Sequence, residues 1–199
     1  MHGGTKPPSV LDPEFLLNAY RQGFFPMADS DSGEINWFSP DPRGILELDE
    51  LVISRSLRRT IRQGAFEVRL NTVFEAVLSF CRARPETWIS EAIVRSYLNL
   101  HRLGHAHSVE AWRDGRLAGG LYGVSIGGAF FGESMFSLER DASKCALVFL
   151  VERLRERKFT LLDTQFLTPH LATLGVTEIP RSQYLRRLSA AMTVSTQFV

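Results

Sequence analysis

Two short turns constrain the fold of this chain more than any other feature. They are Asp114-Gly115 and Gly127-Gly128, and each separates two runs that read as β-strands. Dipeptides of this kind between strand-like runs are typical of β-hairpin turns. The sequence therefore predicts an antiparallel meander of three strands, over 107–113, 117–125 and 129–135.

Helices and further strands flank the predicted meander. The helices are expected at 12–23, 54–64, 72–84, 90–103, 143–157 and 180–190, and the other strands at 45–48, 66–70 and 159–163. The stretch from Phe25 to Arg43 is rich in Pro and Asp, which predicts a loop. The fold class is therefore mixed α/β (α+β), with a mostly antiparallel mixed sheet flanked by helices. We divide the chain into a small N-terminal lobe, 1–64, and a larger domain, 65–199.

Composition excludes several classes of protein. The 199 residues carry a formal net charge of +1, so nucleic-acid binding requires a local basic patch rather than bulk charge. Cys81 and Cys145 have no metal-ligand spacing and are expected to be buried free thiols. Met1 to Val10 is not the apolar run of a signal peptide, and no stretch is long enough to cross a membrane. We expect a soluble cytoplasmic protein.

Polar side chains at the ends of two predicted strands indicate a site. Asp163 and Gln165 are two residues apart, so on one strand they point to the same side. If the end of the strand that carries Glu133 lies nearby, this carboxylate joins them. The result is an acidic mouth over an apolar floor without an evident nucleophile, which suits the handling of an amine better than hydrolysis.

Several strings in this sequence resemble one known family. They run in order along almost the whole chain: Trp37-Phe38-Ser39-Pro40-Asp41-Pro42-Arg43, Ile53-Ser54-Arg55-Ser56, Leu103-Gly104-His105-Ala106-His107-Ser108-Val109-Glu110, Gly119-Gly120-Leu121-Tyr122-Gly123-Val124, Gly132-Glu133-Ser134-Met135-Phe136-Ser137 and Leu162-Asp163-Thr164-Gln165. Together they are similar to the leucyl/phenylalanyl-tRNA–protein transferase family.

The resemblance implies an activity and a set of partners. The donor would be aminoacyl-tRNA charged with Leu, Phe or, less well, Met, and the acceptors would be proteins with N-terminal Arg or Lys, which the bacterial N-degron pathway then degrades. The implied fold is an acetyltransferase-like (GCN5-related) domain behind the N-terminal lobe. The implied protein is a cytoplasmic monomer that needs no cofactor and no metal and binds neither DNA nor a membrane.

The resemblance also assigns roles to residues of the acidic mouth. Asp163 would draw the proton from the amine or orient the amine electrostatically, and Gln165 would link Asp163 to the amine. Glu133 would contact the N-terminal residue of the acceptor. The amino-acid side chain would occupy an apolar pocket formed by Leu121, Phe130, Leu147, Leu150, Leu154 and Leu162. From the residues alone, these six positions read as ordinary core.

Two further groups match positions that hold the tRNA in the family. Trp88 and Met27 would contact its 3′ end, although the family carries a second Trp where this chain has Met27. From the sequence alone, Trp88 fits equally well as a core residue beside Ile89. Arg55, Arg58, Arg59 and Arg62 share one side of a predicted helix and would contact the tRNA backbone. A solvated surface helix is the alternative for these four.

Two other functions share parts of this pattern. An acyl-CoA N-acetyltransferase would have the same fold, but the segment before its central helix is normally glycine-rich, and here 137–142 contains no glycine and two acids. An RNA-binding module without catalysis would use Trp88 and the arginines, but it would not need Glu133, Asp163 and Gln165. His101, His105 and His107 lack a zinc spacing, because Gly104 interrupts their helix, and we interpret them as structural.

Overall fold

Helices and strands alternate along the part of the chain that the computed structural model describes, residues 10–83 and 87–199. The helices are α1 (Pro13–Arg21), α2 (Arg55–Arg62), α3 (Phe74–Arg82), α4 (Glu91–Arg102), α5 (Ala142–Glu156), α6 (Pro169–Ala172) and α7 (Arg181–Met192). The strands are β1 (Phe25–Ala28), β2 (Ile35–Phe38), β3 (Arg43–Leu46), β4 (Glu67–Leu70), β5 (Ala106–Arg113), β6 (Arg116–Ile126), β7 (Ala129–Ser137), β8 (Leu161–Gln165) and β9 (Thr177–Ile179).

The predicted meander, β5–β6–β7, forms the centre of a seven-stranded sheet. The strand order is β4-β5-β6-β7-β8-β3-β9, and every adjacent pair is antiparallel except β7 and β8. Asp114 and Gly115 have φ angles of 49° and 72°, the left-handed conformation that a tight hairpin turn requires. Helix α5 connects the parallel strands β7 and β8, as a crossover between parallel strands requires. The predicted fold class is confirmed.

Each face of this sheet is covered by its own set of helices. Residues of α1, α3, α4 and α7 form one apolar cluster, which includes Leu17, Val77 and Ile93. On the opposite face, α5 packs through Leu147, Leu150 and its neighbours, and Phe198 near the chain end joins that second cluster. The sheet thus separates two cores. Side chains from both cores can contact a residue at the end of a central strand.

A two-stranded hairpin replaces the loop predicted between Phe25 and Arg43. β1 and β2 pair with each other from Phe25↔Phe38 to Ala28↔Ile35. The loop prediction for this stretch was wrong because it weighed Pro and Asp content, whereas Pro26 lies in a hairpin strand outside the main sheet, where proline is tolerated. Trp37 anchors the hairpin by packing edge-on against Phe15, with ring centroids 5.4 Å apart.

Two short elements were also missing from the prediction. Strand β9 has three residues and helix α6 has four, and such lengths show no measurable periodicity in a sequence. The other predicted helices and strands are present, with ends shifted by a few residues.

The position of strand β3 concerns the predicted boundary between the N-terminal lobe and the larger domain. It lies before Gly64, yet it pairs with β8 on one side and β9 on the other, so residues 43–46 belong to the large sheet. The division into 1–64 and 65–199 stays a prediction.

Two of the sequence-based predictions involve residues outside the described ranges. Residues 1–9, on which the expectation about a leader rests, lie outside the described residues, as does Arg84, the predicted end of the third helix. Helix α3 ends at Arg82. None of the helices within 10–83 and 87–199 is long and apolar enough to span a membrane.

Candidate active site

A cavity opens where two central strands separate. β7 and β8 pair in parallel only from Ala129↔Leu161 to Phe131↔Asp163. Beyond this point β7 continues along β6, and β8 continues along β3. The strands therefore leave a gap between them, and the gap is part of a cavity of about 360 Å³. This volume lies within the usual range for small-ligand sites.

Much of the lining of this cavity is apolar. Its aliphatic lining comes from β3, β6, β7, β8, α5, α6 and the segment before β9: Leu46, Leu121, Met135, Leu147, Leu150, Leu162, Leu171 and Val176. Four of the six residues predicted for an apolar pocket, Leu121, Leu147, Leu150 and Leu162, lie on this apolar wall. Phe130 and Leu154 do not line it; they are buried in the same core cluster. A hydrocarbon side chain therefore finds an apolar environment in the cavity.

Glu133 lies on the cavity wall because of an irregularity in β7. Tyr122 of β6 pairs with Ser134 and Gly123 pairs with Gly132, so Glu133 is an extra residue opposite no partner. A bulge of this kind bends a strand and redirects a side chain. Glu133 is 9% exposed and lines the cavity.

The carboxylate of Glu133 has three neutral hydrogen-bond donors. The hydroxyl of Tyr20 donates to Oε1 at 2.6 Å, that of Tyr97 donates to Oε2 at 3.0 Å, and Nε2 of Gln165 donates to Oε1 at 3.0 Å. The two tyrosine hydroxyls also bond each other. Burial raises the pKa of Glu133 to about 7, although these three hydrogen bonds act in the opposite direction. Glu133 can therefore exchange a proton near neutral pH.

Asp163 has a different environment, away from the cavity. It is fully buried, and Arg43 binds it through two parallel bonds: Nε to Oδ1 at 2.9 Å and Nη2 to Oδ2 at 2.6 Å. The hydroxyl of Tyr184 donates to Oδ2 at 2.7 Å, and the backbone amide of Gln165 donates to Oδ1 at 2.8 Å. Asp163 is not among the residues that line the cavity. Its carboxylate is therefore saturated by donors that are themselves buried.

Arg43 is held in place on all sides. Its guanidinium lies over the rings of Phe25 and Tyr184, 4.7 and 4.4 Å from their centroids, and Nη1 donates to the carbonyl of Gly23 at 3.0 Å. Burial is the largest single influence on the pKa of Arg43 and would lower it, but the charge and hydrogen bonds of Asp163, together with Tyr184 and Glu133, outweigh burial and raise this pKa. The pair is therefore a buried, fixed ion pair with no net charge.

Gln165 connects the two carboxylates through an unusual backbone conformation. Its φ angle is 65°, and the amide of Phe166 donates to the carbonyl of Thr164 at 2.7 Å, which closes a turn centred on Gln165. Such a turn is strained for a residue with a Cβ atom. Its effect is that the backbone of Gln165 bonds Asp163, while its side chain bonds Glu133.

Gly44 of β3 makes room for this turn. A Cβ atom at Gly44 would lie 2.8 Å from the carbonyl carbon of Phe166 and 3.0 Å from Oγ1 of Thr164. Since the first of these is a backbone atom, a side chain at position 44 would force the turn to move. Gly44 thus allows the close approach that holds Gln165.

Comparisons with known proteins identify the family. A model of leucyl/phenylalanyl-tRNA protein transferase matches residues 45–189, and a model of the N-terminal domain of this transferase matches residues 9–41. This chain belongs to the leucyl/phenylalanyl-tRNA protein transferase family. The resemblance predicted from the sequence strings is therefore confirmed.

Curated relatives agree with this family over nearly their full length. A leucyl/phenylalanyl-tRNA–protein transferase of Gloeobacter violaceus is 56% identical over 189 residues, which cover 95% of this chain and 98% of the relative. One of Rubrobacter xylanophilus is also 56% identical over 189 residues, covering 94% of this chain and 98% of the relative. Among solved structures, a GCN5-related N-acetyltransferase-like protein from Streptococcus suis is 14% identical, with a TM-score of 0.36, over 83% of this chain and 63% of that chain. At this TM-score, the similarity supports no conclusion about the function of this chain.

In this member of the leucyl/phenylalanyl-tRNA protein transferase family, Met27 and Trp88 meet at the rim of the cavity. Both residues line it, and the amide of Ala28 donates to the carbonyl of Trp88 at 3.0 Å, which joins β1 to the segment before α4. Trp88 is half-buried and also packs against the core under the hairpin. It is therefore both a core residue and a rim residue, so the two interpretations of Trp88 are compatible.

The four predicted arginines form an exposed group on α2. Ser54 caps the helix by accepting from the amide of Leu57 at 3.2 Å, and Leu57 is buried against Cys145 and Val148. Arg55, Arg58, Arg59 and Arg62 are all exposed, and none forms an ion pair with another residue in 10–83 or 87–199. The group is therefore a basic surface without neutralising carboxylates among the described residues.

The histidines and cysteines serve the fold. The ring of His101 donates to the carbonyl of Ala106 at 2.8 Å, and the ring of His107 bonds the side chains of Asn71 and Ser125. Cys81 and Cys145 are buried, as predicted, and no disulfide joins them. No group of three or more His, Cys, Asp or Glu side chains within the described ranges could hold a metal ion.

Sequence reasoning missed the partners that set the properties of the two carboxylates. Arg43 lay inside a string that supported the resemblance, but nothing local indicated that it reaches Asp163, 120 positions later. Tyr20, Tyr97 and Tyr184 lie on helices, where the apolar pattern explains a buried tyrosine without any polar role. A signal did exist for Gly44, since a glycine inside a strand often marks a close backbone approach.

Proposed function

We propose that this protein moves leucine or phenylalanine, and less well methionine, from aminoacyl-tRNA to the α-amine of proteins that begin with Arg or Lys. The observation that carries this proposal is one cavity in which an apolar wall meets Glu133 and Gln165. The wall suits the donor side chain, and the polar pair suits the acceptor amine. The reaction would take place in the cytoplasm, with the protein as a monomer, and it would mark the acceptor for degradation by the N-degron pathway.

The reaction exchanges one acyl bond for another. The amine nitrogen attacks the ester carbonyl, an amide bond forms, the ester bond breaks, and the ribose oxygen of the tRNA leaves with a proton. Because the ester is already activated, no covalent enzyme intermediate is needed. The enzyme has to orient the amine and receive the proton that the ammonium group loses.

Glu133 lines the cavity and suits this proton transfer. Its pKa of about 7 lies close to the ~8 that is usual for an α-ammonium group, so the transfer between them is nearly balanced. Tyr20 and Tyr97 stay neutral, because burial and the charge of Glu133 raise the pKa of each well above its usual value. They therefore act as donors that fix the orientation of the carboxylate.

Asp163 acts by orienting rather than by accepting the proton. Its hydrogen bonds to Arg43, Tyr184 and the Gln165 amide support this choice between the two roles that the family resemblance implies. These donors occupy both oxygens of Asp163, and the carboxylate does not line the cavity. Through the Gln165 backbone, however, it holds the Gln165 side chain next to Glu133.

Selection of the donor side chain relies on the apolar wall. Leu121, Leu147, Leu150 and Leu162 line the cavity without a polar partner, so a Leu, Phe or Met side chain is transferred from water to hydrocarbon. A difference of one methylene in such a pocket is worth only about 1–3 kcal/mol, so the three side chains are separated incompletely. Phe130 and Leu154 support this wall from the core behind it.

The tRNA is held through its acceptor end and its backbone. Trp88 offers a ring for stacking on a base, and Met27 offers a thioether beside it. The exposed arginines of α2, Arg55, Arg58, Arg59 and Arg62, supply contacts to phosphates that do not depend on sequence. Such contacts suit an enzyme that accepts more than one tRNA.

Acetyl-CoA is disfavoured as the donor by the start of α5. A pyrophosphate normally binds free amides at such a helix N-terminus, but here the amide of Ser143 donates to Oγ of Ser137 at 3.2 Å. Asp141 immediately precedes the helix and would repel a phosphate. The cavity therefore lacks the neighbouring site that a coenzyme A donor requires.

The proposal is tested by transfer from charged tRNA. Radiolabelled leucine and phenylalanine on tRNA are offered to peptides that begin with Arg, Lys or Ala and are otherwise identical, with acetyl-CoA as a control donor. We expect labelled Arg and Lys peptides, an unlabelled Ala peptide and no acetylation. Acetylated peptides, or charged tRNA that binds without any transfer, would contradict the proposal.

A further inference from the structure

A second cavity lies beside the first, on the outer side of Met27 and Trp88. It has a volume of about 350 Å³, and both of these residues line it as well as the first cavity. Its other walls come from β2, from the loop that starts at Asp29 and from Thr87. Since the two cavities share a wall, a chain-like ligand whose end occupies the first can continue directly into the second.

The β2 wall of this second cavity presents an aromatic ring and an exposed carboxamide. Asn36 and Phe38 are exposed, whereas Ile35 and Trp37 between them are half-buried, so the two exposed residues share the outer face of the strand. Phe38 is 38% exposed, and its ring stacks on that of Phe25 at 6.1 Å. The carboxamide of Asn36 has no hydrogen-bond partner among residues 10–83 and 87–199. A ring for stacking next to an amide for edge contacts is the pattern with which proteins bind single-stranded bases.

Asp29 adds a negative charge to the lining of this cavity. Its Oδ1 accepts from the amides of Asp31 and Ser32 and from the Ser32 hydroxyl, at 3.1, 2.8 and 2.9 Å, which fixes the loop. A fixed carboxylate attracts the amino group of a base and repels a phosphate. This wall therefore favours a base rather than a phosphate inside the cavity.

We infer that the second cavity binds the nucleobase that precedes the terminal adenosine of the tRNA. This inference rests on the proposed function. The base at that position is a cytosine in every mature tRNA, and its edge combines an amino donor with two acceptors, which complements Asp29 and Asn36. Phe38 provides the stacking surface, and the wall of Met27 and Trp88 separates this base from the terminal adenosine.

The test compares two minimal donors that differ by one nucleotide. Phenylalanyl-adenosine and phenylalanyl-cytidylyl-adenosine are used with a fixed peptide that begins with Arg, and KM is measured for each donor. In the unaltered protein we expect the longer donor to have a KM lower by about tenfold, the effect of one stacked base. Phe38→Ala and Asn36→Ala should raise KM for the longer donor by a similar factor and leave the shorter donor unchanged.

Controls separate a lost contact from a damaged fold. Phe38→Tyr keeps the stacking surface and should retain the advantage of the longer donor, and Leu103→Ala removes an exposed apolar side chain at the far end of α4 and should change neither KM. Equal KM values for the two donors in the unaltered protein would overturn the inference. So would variants that weaken both donors equally, since the cavity would then hold the terminal adenosine. No transfer from either donor would overturn the proposed function itself, and the inference with it.

Discussion

Glu133 and Asp163 are both buried carboxylates, and Gln165 bonds both, yet their surroundings differ in charge. The donors to Glu133 are neutral: two tyrosine hydroxyls and an amide. Asp163 receives its main bonds from the Arg43 guanidinium. Burial without a counter-charge raises the pKa of Glu133 to about 7, whereas both oxygens of Asp163 are bound by the guanidinium of Arg43.

This difference assigns separate tasks to two groups that look alike in a sequence. In the proposed reaction, Glu133 takes and releases a proton near neutral pH, whereas Asp163 holds Gln165 in place. The two residues also differ in their position relative to the cavity. Glu133 lines the cavity, and Asp163 does not.

The largest effect is expected from Glu133→Gln. The amide keeps the shape of the side chain but cannot accept a proton, and loss of a general base costs about 10²–10⁴-fold in rate. We expect kcat/KM for the Arg peptide to fall by about this factor. The rise of kcat/KM with pH through about 7 should disappear as well. Full activity in this variant would assign the proton transfer to another group.

Arg43→Met should be the most destabilising change at the paired site. It leaves Asp163 buried without its counter-charge, which costs about 3–5 kcal/mol in unfolding free energy. Adding Asp163→Asn removes the stranded charge and should recover a large part of the loss. Urea denaturation of the two single variants and the double variant measures this coupling, and simply additive losses would contradict a direct ion pair.

Stability should depend on pH through Glu133. Its folded pKa of about 7 lies above the ordinary value of 4.5, so the folded state binds more protons than the unfolded state between these values. The stability contributed by this group is therefore present below pH 4.5 and is lost as pH rises to 7, by about 3 kcal/mol in all. Denaturation at pH 5 and pH 8 should show the unaltered protein losing about 2–3 kcal/mol relative to Glu133→Gln, because part of the loss has already occurred at pH 5. An unchanged difference between the two proteins would refute the raised pKa.

The smallest effect concerns the turn that joins the two sites. Gln165→Ala and Gln165→Gly both remove the amide that bonds Glu133, so both should lower kcat/KM to the same extent. Glycine adopts a φ of 65° without strain, and we expect Gln165→Gly to be more stable than Gln165→Ala by about 1 kcal/mol. Thermal denaturation compares the pair, and equal stabilities would mean that the turn relaxes when the side chain is lost.

Local sequence patterns predicted the helices and strands that have a clear hydrophobic periodicity or that begin or end at a clear cap or turn. The hairpin at Asp114-Gly115, the cap at Ser54 and the apolar stripe of α5 all appear where expected. The prediction failed at β1–β2, where the contact of Trp37 with Phe15 outweighs a composition typical of loops. It also could not show that β3 inserts between β8 and β9, because strand order depends on contacts between distant residues.

The family, the mixed sheet and the identity of the polar residues near the site could be predicted from the sequence alone, because sequence motifs and periodicities are local properties. The sequence did not determine what each carboxylate does. Asp163 and Gln165, two residues apart, were expected to face one cavity, but the left-handed turn at Gln165 ends the alternation of β8. Arg43 and Tyr184 reach Asp163 from opposite ends of the chain, and Tyr20 and Tyr97 reach Glu133 from two helices. The pKa of a buried group depends on such neighbours, and only the tertiary structure brings them together.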